Sequence, residues 1–286
     1  MIESIRARHA DAVRSACAVE DGFVTASDDG TLKVWRPDGT FVRSLREHEH
    51  HVSVARAVRG RRLLSAGYDR KVLLWDLASA EVVTRLSGCK EWIVDAAVSA
   101  DGGRAATIER LGAVRVWDLT TGRLLARFTH RGSWGALALS PVGDRLYVGA
   151  GADDRGRYRL AAYDVASRRA VAERETPWVT DLAVEVDTGR VLAVGGRTLH
   201  VYDAALEPKG QRAHDAALIA VVADEDGPVT ADAQGLVVTW DHDGGPNGGY
   251  RREISAPVTA FAWSGLGGSF LLGLEDGEVV VRPPSR

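Results

Sequence analysis

A segment of about twelve residues recurs along this chain. Its first copy, VTASDDGTLKVW (24–35), has two short β-like runs joined by an Asp-Asp-Gly turn, a pattern typical of a β-hairpin. Close copies occupy 63–76, 105–118 and 228–241, and looser copies occupy 157–164, 195–203 and 271–282. In chain order the copies close on Trp35, Trp75, Trp117, Tyr163, Tyr202, Trp240 and Arg282. The spacing of 38–46 residues between these positions indicates a ring of small sheets, one for each repeat.

The copies also resemble a known family. Five of them place an aspartate directly after the closing aromatic residue, at Asp76, Asp118, Asp164, Asp203 and Asp241. Strand-rich repeats of about 40–45 residues with a Trp-Asp pair are the signature of WD-repeat β-propellers. The resemblance covers nearly the whole chain, and it implies an all-β fold in which residues 1–286 form a single seven-bladed WD-repeat β-propeller.

Each blade of such a propeller has four antiparallel strands, named a to d from the centre outwards. We expect the blades at roughly 9–45, 46–86, 87–128, 129–172, 173–210, 211–253 and 254–286. Ala- and Val-rich stretches predict the strands a at 13–19, 52–58, 93–99, 134–140, 179–185, 218–223 and 258–264. The last unit supplies only three strands, so we expect residues 2–8 to complete it and to close the ring.

The first two blades repeat a set of polar residues at fixed positions. The sets are His9, Thr25, Asp29 and Trp35 in blade one, and His48, Ser65, Asp69 and Trp75 in blade two. The resemblance to WD-repeat proteins implies a structural network that runs from the turn aspartate through the histidine and the hydroxyl to the indole N–H. A catalytic triad is the alternative, but a constellation that recurs at one repeat offset favours architecture.

Later blades depart from this pattern. Blade three has Cys89 in place of the histidine and Leu111 in place of the turn aspartate, and blade six has Gln234 in the turn. We therefore expect blades three to five to be less rigid than the first two. In blade six, the Gly- and Pro-rich segment 241–253 predicts a long connection between strands c and d.

Composition and charge restrict the possible partners. A net charge of −3, and basic clusters without interleaved aromatic residues, argue against a nucleic-acid partner. No apolar run is long enough to span a bilayer, and the first residues have no apolar signal-peptide core. The two cysteines do not make a disulfide framework. We expect a cytoplasmic protein that is monomeric on its own and binds neither nucleic acid nor membrane.

A histidine-rich segment, REHEHHV (46–52), is the candidate metal site because it places His48, His50 and His51 close together. No motif of fixed ligand spacing accompanies it, and His48 already belongs to the structural network. We therefore expect no metal and no cofactor.

Aromatic residues stand directly before strand a in neighbouring blades. Trp92 and Trp178 hold this position in blades three and five, Trp134 lies within one residue of it in blade four, and His51 holds it in blade two. The nearby b–c turns contribute Tyr68, Arg110, Arg155, Arg157 and Tyr158. Tryptophan, tyrosine and arginine are enriched at binding hot spots, so this pattern predicts a partner-binding surface. The alternative is that each tryptophan packs on the strand edges of its own blade.

Two carboxylates, Asp95 and Asp181, share the third position of strand a and are expected at the mouth of the central channel. The leading hypothesis is a non-enzymatic scaffold that docks a protein or peptide around this mouth, on the face of the d–a loops and b–c turns. The alternative is a small-molecule sensor or an enzyme that uses the channel, and a polar pocket with perturbed carboxylates would favour it.

Overall fold

The computed structural model describes residues 8–130, 135–152, 156–241, 246–251, 254, 256–264 and 268–282. Blade one consists of β1 (Val13–Val19), β2 (Gly22–Ser27), β3 (Leu32–Trp35) and β4 (Phe41–Leu45). Blade two consists of β5 (Val52–Val58), β6 (Arg62–Gly67), β7 (Val72–Asp76) and β8 (Glu81–Leu86). Blade three consists of β9 (Ile93–Val98), β10 (Arg104–Glu109), β11 (Ala113–Asp118) and β12 (Leu124–Thr129). Blade four consists of β13 (Ala136–Leu139), β14 (Arg145–Ala150), β15 (Tyr158–Asp164) and β16 (Arg169–Thr176).

The remaining three blades follow the same order. Blade five consists of β17 (Asp181–Val184), β18 (Val191–Gly195), β19 (Thr198–Tyr202) and β20 (Pro208–Ala213). Blade six consists of β21 (Leu218–Asp224), β22 (Gly227–Asp232), β23 (Leu236–Trp240) and β24 (Pro246–Arg251). Blade seven has three strands among the described residues, β25 (Val258–Trp263), β26 (Phe270–Leu274) and β27 (Val279–Arg282). Each blade is an antiparallel sheet whose strands pair in chain order, so the predicted all-β, seven-bladed architecture is confirmed.

Arg8 and His9, at the start of the described chain, contact blade seven near its end. Arg8 forms an isolated antiparallel bridge with Glu278, and its guanidinium lies 3.1 Å from the carboxylate of Asp276. The backbone N–H of His9 donates to the carbonyl of Gly277 at 2.9 Å. These contacts lie at the C-terminal end of the predicted closing strand 2–8. Residues 2–7 lie outside the described residues, so the pairing of that strand stays a prediction.

The hydrophobic core lies between neighbouring blades. One buried cluster joins Val24 and Leu32 of blade one to Leu63 and Trp75 of blade two, and Trp75 is only 1% exposed. Because a strand places alternate side chains on opposite faces, each sheet packs against the blade on either side. Buried aromatic side chains at such positions dominate core energetics, and truncating one to alanine costs about 3–5 kcal/mol.

The Trp-Asp pairs have a local structural explanation. In blade two the pairing of β7 with β8 shifts register between Leu74 and Trp75, as expected for a β-bulge. Asp76 follows, and its Oδ1 accepts the backbone N–H groups of Ala78 at 2.8 Å and Ser79 at 2.9 Å. The same shift occurs before Trp35, Trp117, Tyr163, Tyr202 and Trp240. The aspartate thus fixes the turn between strands c and d immediately after the bulge.

The prediction for blade six was wrong in one respect. Residues 241–253 were expected to connect strands c and d, but part of this segment, Pro246–Arg251, is strand d itself, β24. Gly248 and Gly249 pair with Thr239 and Val238 of β23. Backbone pairing does not require side chains, so the glycine-rich composition concealed a strand.

Candidate partner-binding face and central channel

Blades one and two contain the polar network at hydrogen-bond distances. In blade one, Thr25 Oγ1 lies 2.8 Å from His9 Nε2 and accepts the indole N–H of Trp35 at 2.8 Å. His9 Nδ1 lies 2.9 Å from the carboxylate of Asp29. In blade two, the corresponding distances are 2.8 Å for His48–Ser65, 2.8 Å for Trp75–Ser65 and 2.9 Å for His48–Asp69.

Burial and hydrogen bonding shift the pKa values of His9 and Asp69 in opposite directions. Burial lowers the pKa of His9 below its usual value, and the neighbouring Asp29 offsets only part of that effect. Burial alone would raise the pKa of Asp69, but the hydrogen bond to His48 and backbone N–H donors lower it overall. The hydroxyls are occupied by histidine and indole partners, and such satisfied buried groups are typical of a structural network.

Blade three contains a replacement for the missing turn aspartate. Glu109 lies two residues before Leu111, and its Oε2 accepts the backbone N–H groups of Lys90 and Glu91, both at 2.8 Å. Asp29 and Asp69 hold the N–H groups of Ala10 and Glu49 in the same way. The expectation that blade three lacks a carboxylate at this place is therefore corrected. Glu109 was not predicted because it lies two residues after the strand-b hydroxyl of Thr107, whereas Asp29 and Asp69 lie four residues after Thr25 and Ser65.

In blade six, too, an acidic residue lies two residues before the expected turn position. Asp232 lies two residues before Gln234, is fully buried, and accepts the N–H groups of Gln234 and Leu236 at 2.9 Å. Its other oxygen lies 3.5 Å from His214 Nδ1. The indole N–H of Trp240 donates to Thr230 at 2.9 Å, as the repeat pattern predicts.

Backbone hydrogen bonds place aromatic residues on one face of the ring. The carbonyl of His51 accepts the N–H of Tyr68 at 2.9 Å, and the carbonyl of Trp92 accepts the N–H of Arg110 at 2.8 Å. Thus the residue before strand a is fixed beside the first residue of the b–c turn. Gly67 permits this close approach, since a Cβ at that position would overlap the His51 carbonyl.

The side chains of these four residues form a continuous stack across blades two and three. The rings of His51 and Tyr68 are 5.4 Å apart with an interplanar angle of 10°. The rings of Tyr68 and Trp92 are 4.8 Å apart with an interplanar angle of 7°, and this stacking contact joins blade two to blade three. The Arg110 guanidinium lies 4.9 Å from the centre of the Trp92 ring. Stacked rings and a cation over an indole are both favourable arrangements.

Two ion pairs connect the His51 end of the stack to blade one. His51 Nδ1 lies 2.9 Å from one carboxylate oxygen of Asp28, and the other oxygen of Asp28 pairs with Arg14 at 2.5 Å. Asp28 is almost completely buried as a side chain, whereas His51 is 46% exposed. Asp28 and Arg14 were not among the predicted site residues, since matching residues do not occupy their repeat positions in the other blades.

A second aromatic pair lies in blades four and five. Trp178 is 50% exposed, and its ring lies 5.7 Å from that of Tyr158 at an interplanar angle of 34°. Trp134 and Arg155 lie outside the described residues, so their predicted place on this surface is untested. We call the surface formed by His51, Tyr68, Trp92, Arg110, Tyr158 and Trp178 the aromatic face.

The central channel opens beside this face. It contains a cavity of about 340 Å³ lined by strand-a residues of the ring together with Trp178, Asp95 and Asp181. Asp95 accepts the N–H of Leu137 in blade four at 2.8 Å, and Asp181 accepts the N–H of Val221 in blade six at 3.0 Å. Both carboxylates therefore link the inner strand of one blade to that of the next.

The two carboxylates differ in their charge partners. Asp95 pairs with Arg56 at 2.9 Å, but burial still raises the pKa of Asp95. Burial raises the pKa of Asp181 to about 6, because Arg56 and two backbone N–H groups lower it only partly. Arg56 was not among the predicted site residues, because strand a was expected to carry small side chains.

Two features are absent from the described residues. In this part of the chain no group of three or more His, Cys, Asp or Glu side chains is arranged to hold a metal ion. Nor do these residues include a helix whose length and apolarity would let it cross a bilayer.

Comparison with known proteins identifies the repeats. The family model for the WD domain, G-beta repeat, matches residues 3–36 and 39–76. The ubiquitin homeostasis protein lub1 of Schizosaccharomyces pombe is 29% identical over 147 residues, which are 50% of this chain and 20% of that protein. The nuclear distribution protein nudF 1 of Talaromyces marneffei is 36% identical over 83 residues, which are 28% of this chain and 18% of that protein.

A longer match extends over most of the ring. Autophagy-related protein 16 of Arabidopsis thaliana is 24% identical over 259 residues, which are 85% of this chain and 50% of that protein. The chain thus spans about a fifth of the first two relatives and half of this one. The chain is therefore a seven-bladed β-propeller, and residues 3–36 and 39–76 match WD repeats.

Proposed function

We propose that this chain is a non-enzymatic scaffold that binds a protein or peptide on its aromatic face, as a monomer in the cytoplasm. Propellers of this family are typically protein-interaction scaffolds. The observation that carries the proposal is the stack from His51 to Arg110, which presents Trp92 at 42% exposure on a rigid ring.

The form of the stack indicates how a partner is bound. Tyr68 covers one side of the Trp92 ring and Arg110 lies over the ring as well, so a partner meets the indole where these neighbours leave it exposed. Trp178 adds a second exposed indole in blade five, beside the channel. Anchors that are already ordered before binding lose little conformational freedom, which increases the affinity available from each contact.

The polar residues of the structural network and of the channel favour binding over catalysis. His9 and His48 are held between an aspartate and a hydroxyl that already accepts an indole N–H. Asp95 and Asp181 are engaged with backbone N–H groups of neighbouring blades. A nucleophile and a general base require free access to a substrate, and both ring nitrogens of His9 and of His48 are engaged within the fold.

An affinity capture experiment tests the proposal. The wild-type chain and the variant Trp92→Ala/Trp178→Ala are immobilised separately and exposed to lysate of the native host cells. Captured proteins are then identified and titrated against the purified chain. Truncation of a hot-spot tryptophan costs about 2 kcal/mol or more, which is about a thirtyfold loss of affinity. We expect partners of the wild type to be lost from the double variant while its melting temperature stays nearly unchanged.

The matched control is Leu124→Ala/Val186→Ala. These two side chains are 47% and 59% exposed and lie away from the aromatic face, on strand d of blade three and an a–b loop of blade five. The control should capture the same partners as the wild type. Partners that bind the Trp92→Ala/Trp178→Ala variant as tightly as the wild type would refute the proposed face. Unfolding of that variant would show that the tryptophans are core residues instead.

The channel supports a second candidate, the binding of a small ligand. Its cavity of about 340 Å³ contains Asp181, whose pKa is raised to about 6 by burial. Perturbed carboxylates in a concave site are typical of ligand-binding positions. Screening a library of small charged molecules by thermal shift would test this candidate, which requires a ligand-induced rise in melting temperature.

A further inference from the structure

The charged groups that line the central cavity are incompletely paired. Asp95 and Arg56 form an ion pair of 2.9 Å, and Arg14 at the rim pairs with Asp28 at 2.5 Å. Among the described residues, Asp181 forms no ion pair within 4.0 Å. Two arginines and two aspartates line the cavity, and an ionised Asp181 is the one of these four charges that has no ion-pair partner within the described part of the chain. A charge in a poorly hydrated environment is costly unless a counter-charge approaches it.

The hydrogen bonds of Asp181 leave it able to accept further donors. One carboxylate oxygen accepts the N–H of Leu182 at 2.9 Å, and the other accepts the N–H of Val221 at 3.0 Å. Each carboxylate oxygen has two lone-pair sites, so both retain capacity for a ligand that faces the cavity. The two N–H groups also hold the carboxylate in a fixed orientation.

An aromatic surface lies in the same cavity. Trp178 lines it together with Asp181 and is 50% exposed. An indole attracts a cation placed over its face, and a planar guanidinium stacks on it as well. A carboxylate and an exposed indole that line one cavity are complementary to a group that is both cationic and planar. An anion would be repelled by ionised Asp181, and both arginines of the cavity are already paired, Arg14 with Asp28 and Arg56 with Asp95.

We propose that a basic side chain of the docked partner enters the mouth of the channel, pairs with Asp181 and packs against Trp178. The proposal rests on the proposed function for the source of this side chain. The pairing supplies a direct ion-pair partner, which Asp181 lacks among the described residues because Arg56 is paired with Asp95. The partner segment therefore contains an arginine or lysine positioned to enter the channel while the remainder of the segment contacts the aromatic face.

Titration with single amino-acid probes tests the site without a known partner. The probes are Nα-acetyl-arginine amide, Nα-acetyl-lysine amide and the uncharged Nα-acetyl-norleucine amide. Backbone amide resonances of Leu182 and Val221 report binding, because both N–H groups donate to Asp181. We expect both cationic probes to bind at least tenfold more tightly than norleucine amide. Arginine amide should be the tighter of the two because its guanidinium stacks on Trp178.

Charge-matched variants show whether Asp181 is responsible. Asp181→Asn should weaken the cationic probes at least tenfold, whereas Asp187→Asn should leave their affinity unchanged. Asp187 is exposed and lines a different cavity with Val186 and Glu225. Both substitutions remove one negative charge, so a general electrostatic effect would weaken the probes equally. Circular dichroism melting curves establish that each variant is folded.

The dependence of probe affinity on pH gives a second measurement. Binding of a cation requires ionised Asp181, so wild-type affinity should fall about tenfold between pH 8 and pH 5 as this group takes up a proton. The charged groups that share the cavity are Arg14, Arg56 and Asp95. The pKa of Asp95 is also raised, so Asp181→Asn, which should show weak binding at both pH values, isolates the contribution of Asp181.

Three results would overturn the inference. They are equal affinity for norleucine amide and arginine amide, unchanged affinity in a folded Asp181→Asn variant, and wild-type affinity that is the same at pH 5 and pH 8. Failure of the proposed function is separate, since it would appear as partners captured equally well without Trp92 and Trp178. A folded protein that binds no cationic probe, yet loses its partners in Trp92→Ala/Trp178→Ala, would retain the scaffold function and refute the channel site.

Discussion

The ring of Tyr68 lies parallel to the indole of Trp92, with centroids 4.8 Å apart and an interplanar angle of 7°. Tyr68 belongs to the b–c turn of blade two, and Trp92 precedes strand a of blade three. The contact therefore joins two blades at the surface, above the hydrophobic core that already lies between them. It holds the exposed indole in one orientation, which is what a preformed binding anchor requires.

The stack predicts an energetic coupling between these two residues. In a double-mutant cycle of Tyr68→Ala and Trp92→Ala, we expect a coupling of about 1 kcal/mol in the free energy of unfolding, because stacked aromatic pairs contribute about 0.5–1.5 kcal/mol beyond area burial. Urea unfolding of the four proteins measures it. A parallel cycle of Tyr68→Ala with Trp178→Ala should give a coupling near zero, since Trp178 stacks with Tyr158 instead. Equal couplings in the two cycles would contradict the prediction.

Much of the fold follows from local pattern. Strand a of blade two was predicted at 52–58 and is observed at Val52–Val58, because its alternating small apolar residues match an inner strand. The bulge at Trp75 and the turn held by Asp76 depend only on neighbouring residues, and equivalent bulges recur in other blades. Glycine-rich β24 was missed because its pairing with β23 is made by the backbone, which composition does not reveal.

The geometry of the candidate site depends on side-chain contacts between blades. Fewer of these contacts could be predicted from the sequence. The position of Trp92, Tyr68 and Arg110 on one surface could be inferred from the repeat register alone. The ion pair of Arg56 with Asp95 could not, because the other inner strands have no arginine at the position of Arg56. Glu109 was missed because a longer side chain reaches the same N–H groups from a position two residues earlier.

The pair of Glu109 and Arg115 predicts a large effect of a small substitution. Glu109 is 1% exposed and Arg115 is 3% exposed, and the two side chains form an ion pair inside blade three. Glu109→Gln leaves a buried guanidinium without its charge partner, so we expect a loss of about 3 kcal/mol in the free energy of unfolding. Because Glu109 also fixes the N–H groups of Lys90 and Glu91, the Trp92 amide resonance should shift in the same variant.

Two further variants identify the origin of this loss. The double variant Glu109→Gln/Arg115→Met removes both charges, and we expect it to recover much of the lost stability. Glu47→Gln breaks the exposed pair with Arg85, which lies 2.8 Å away, and should change the urea midpoint very little. If Glu109→Gln unfolds at the same urea concentration as Glu47→Gln, the buried pair does not contribute as argued.

Asp181 predicts a dependence of stability on pH with a defined sign. Its pKa is about 6 in the folded protein, above the ordinary value near 3.9, so between these values the folded state binds more protons than the unfolded state. The stabilisation of the protonated form is therefore lost as pH rises through about 6. Relative to Asp181→Asn, the wild type should lose about 1 kcal/mol between pH 5 and pH 7.5.

Urea unfolding of both proteins across this pH range measures the difference directly. Contributions from His9 and Asp95 are present in both proteins and cancel to first order, which isolates Asp181. The variant Asp187→Asn should follow the wild type at every pH, because Asp187 is exposed and lies outside the channel. Parallel curves for wild type and Asp181→Asn would mean that burial does not raise the pKa of this carboxyl. Asp181 would then be ionised across the whole range with its charge compensated within the fold, and the channel would have no preference for a cation.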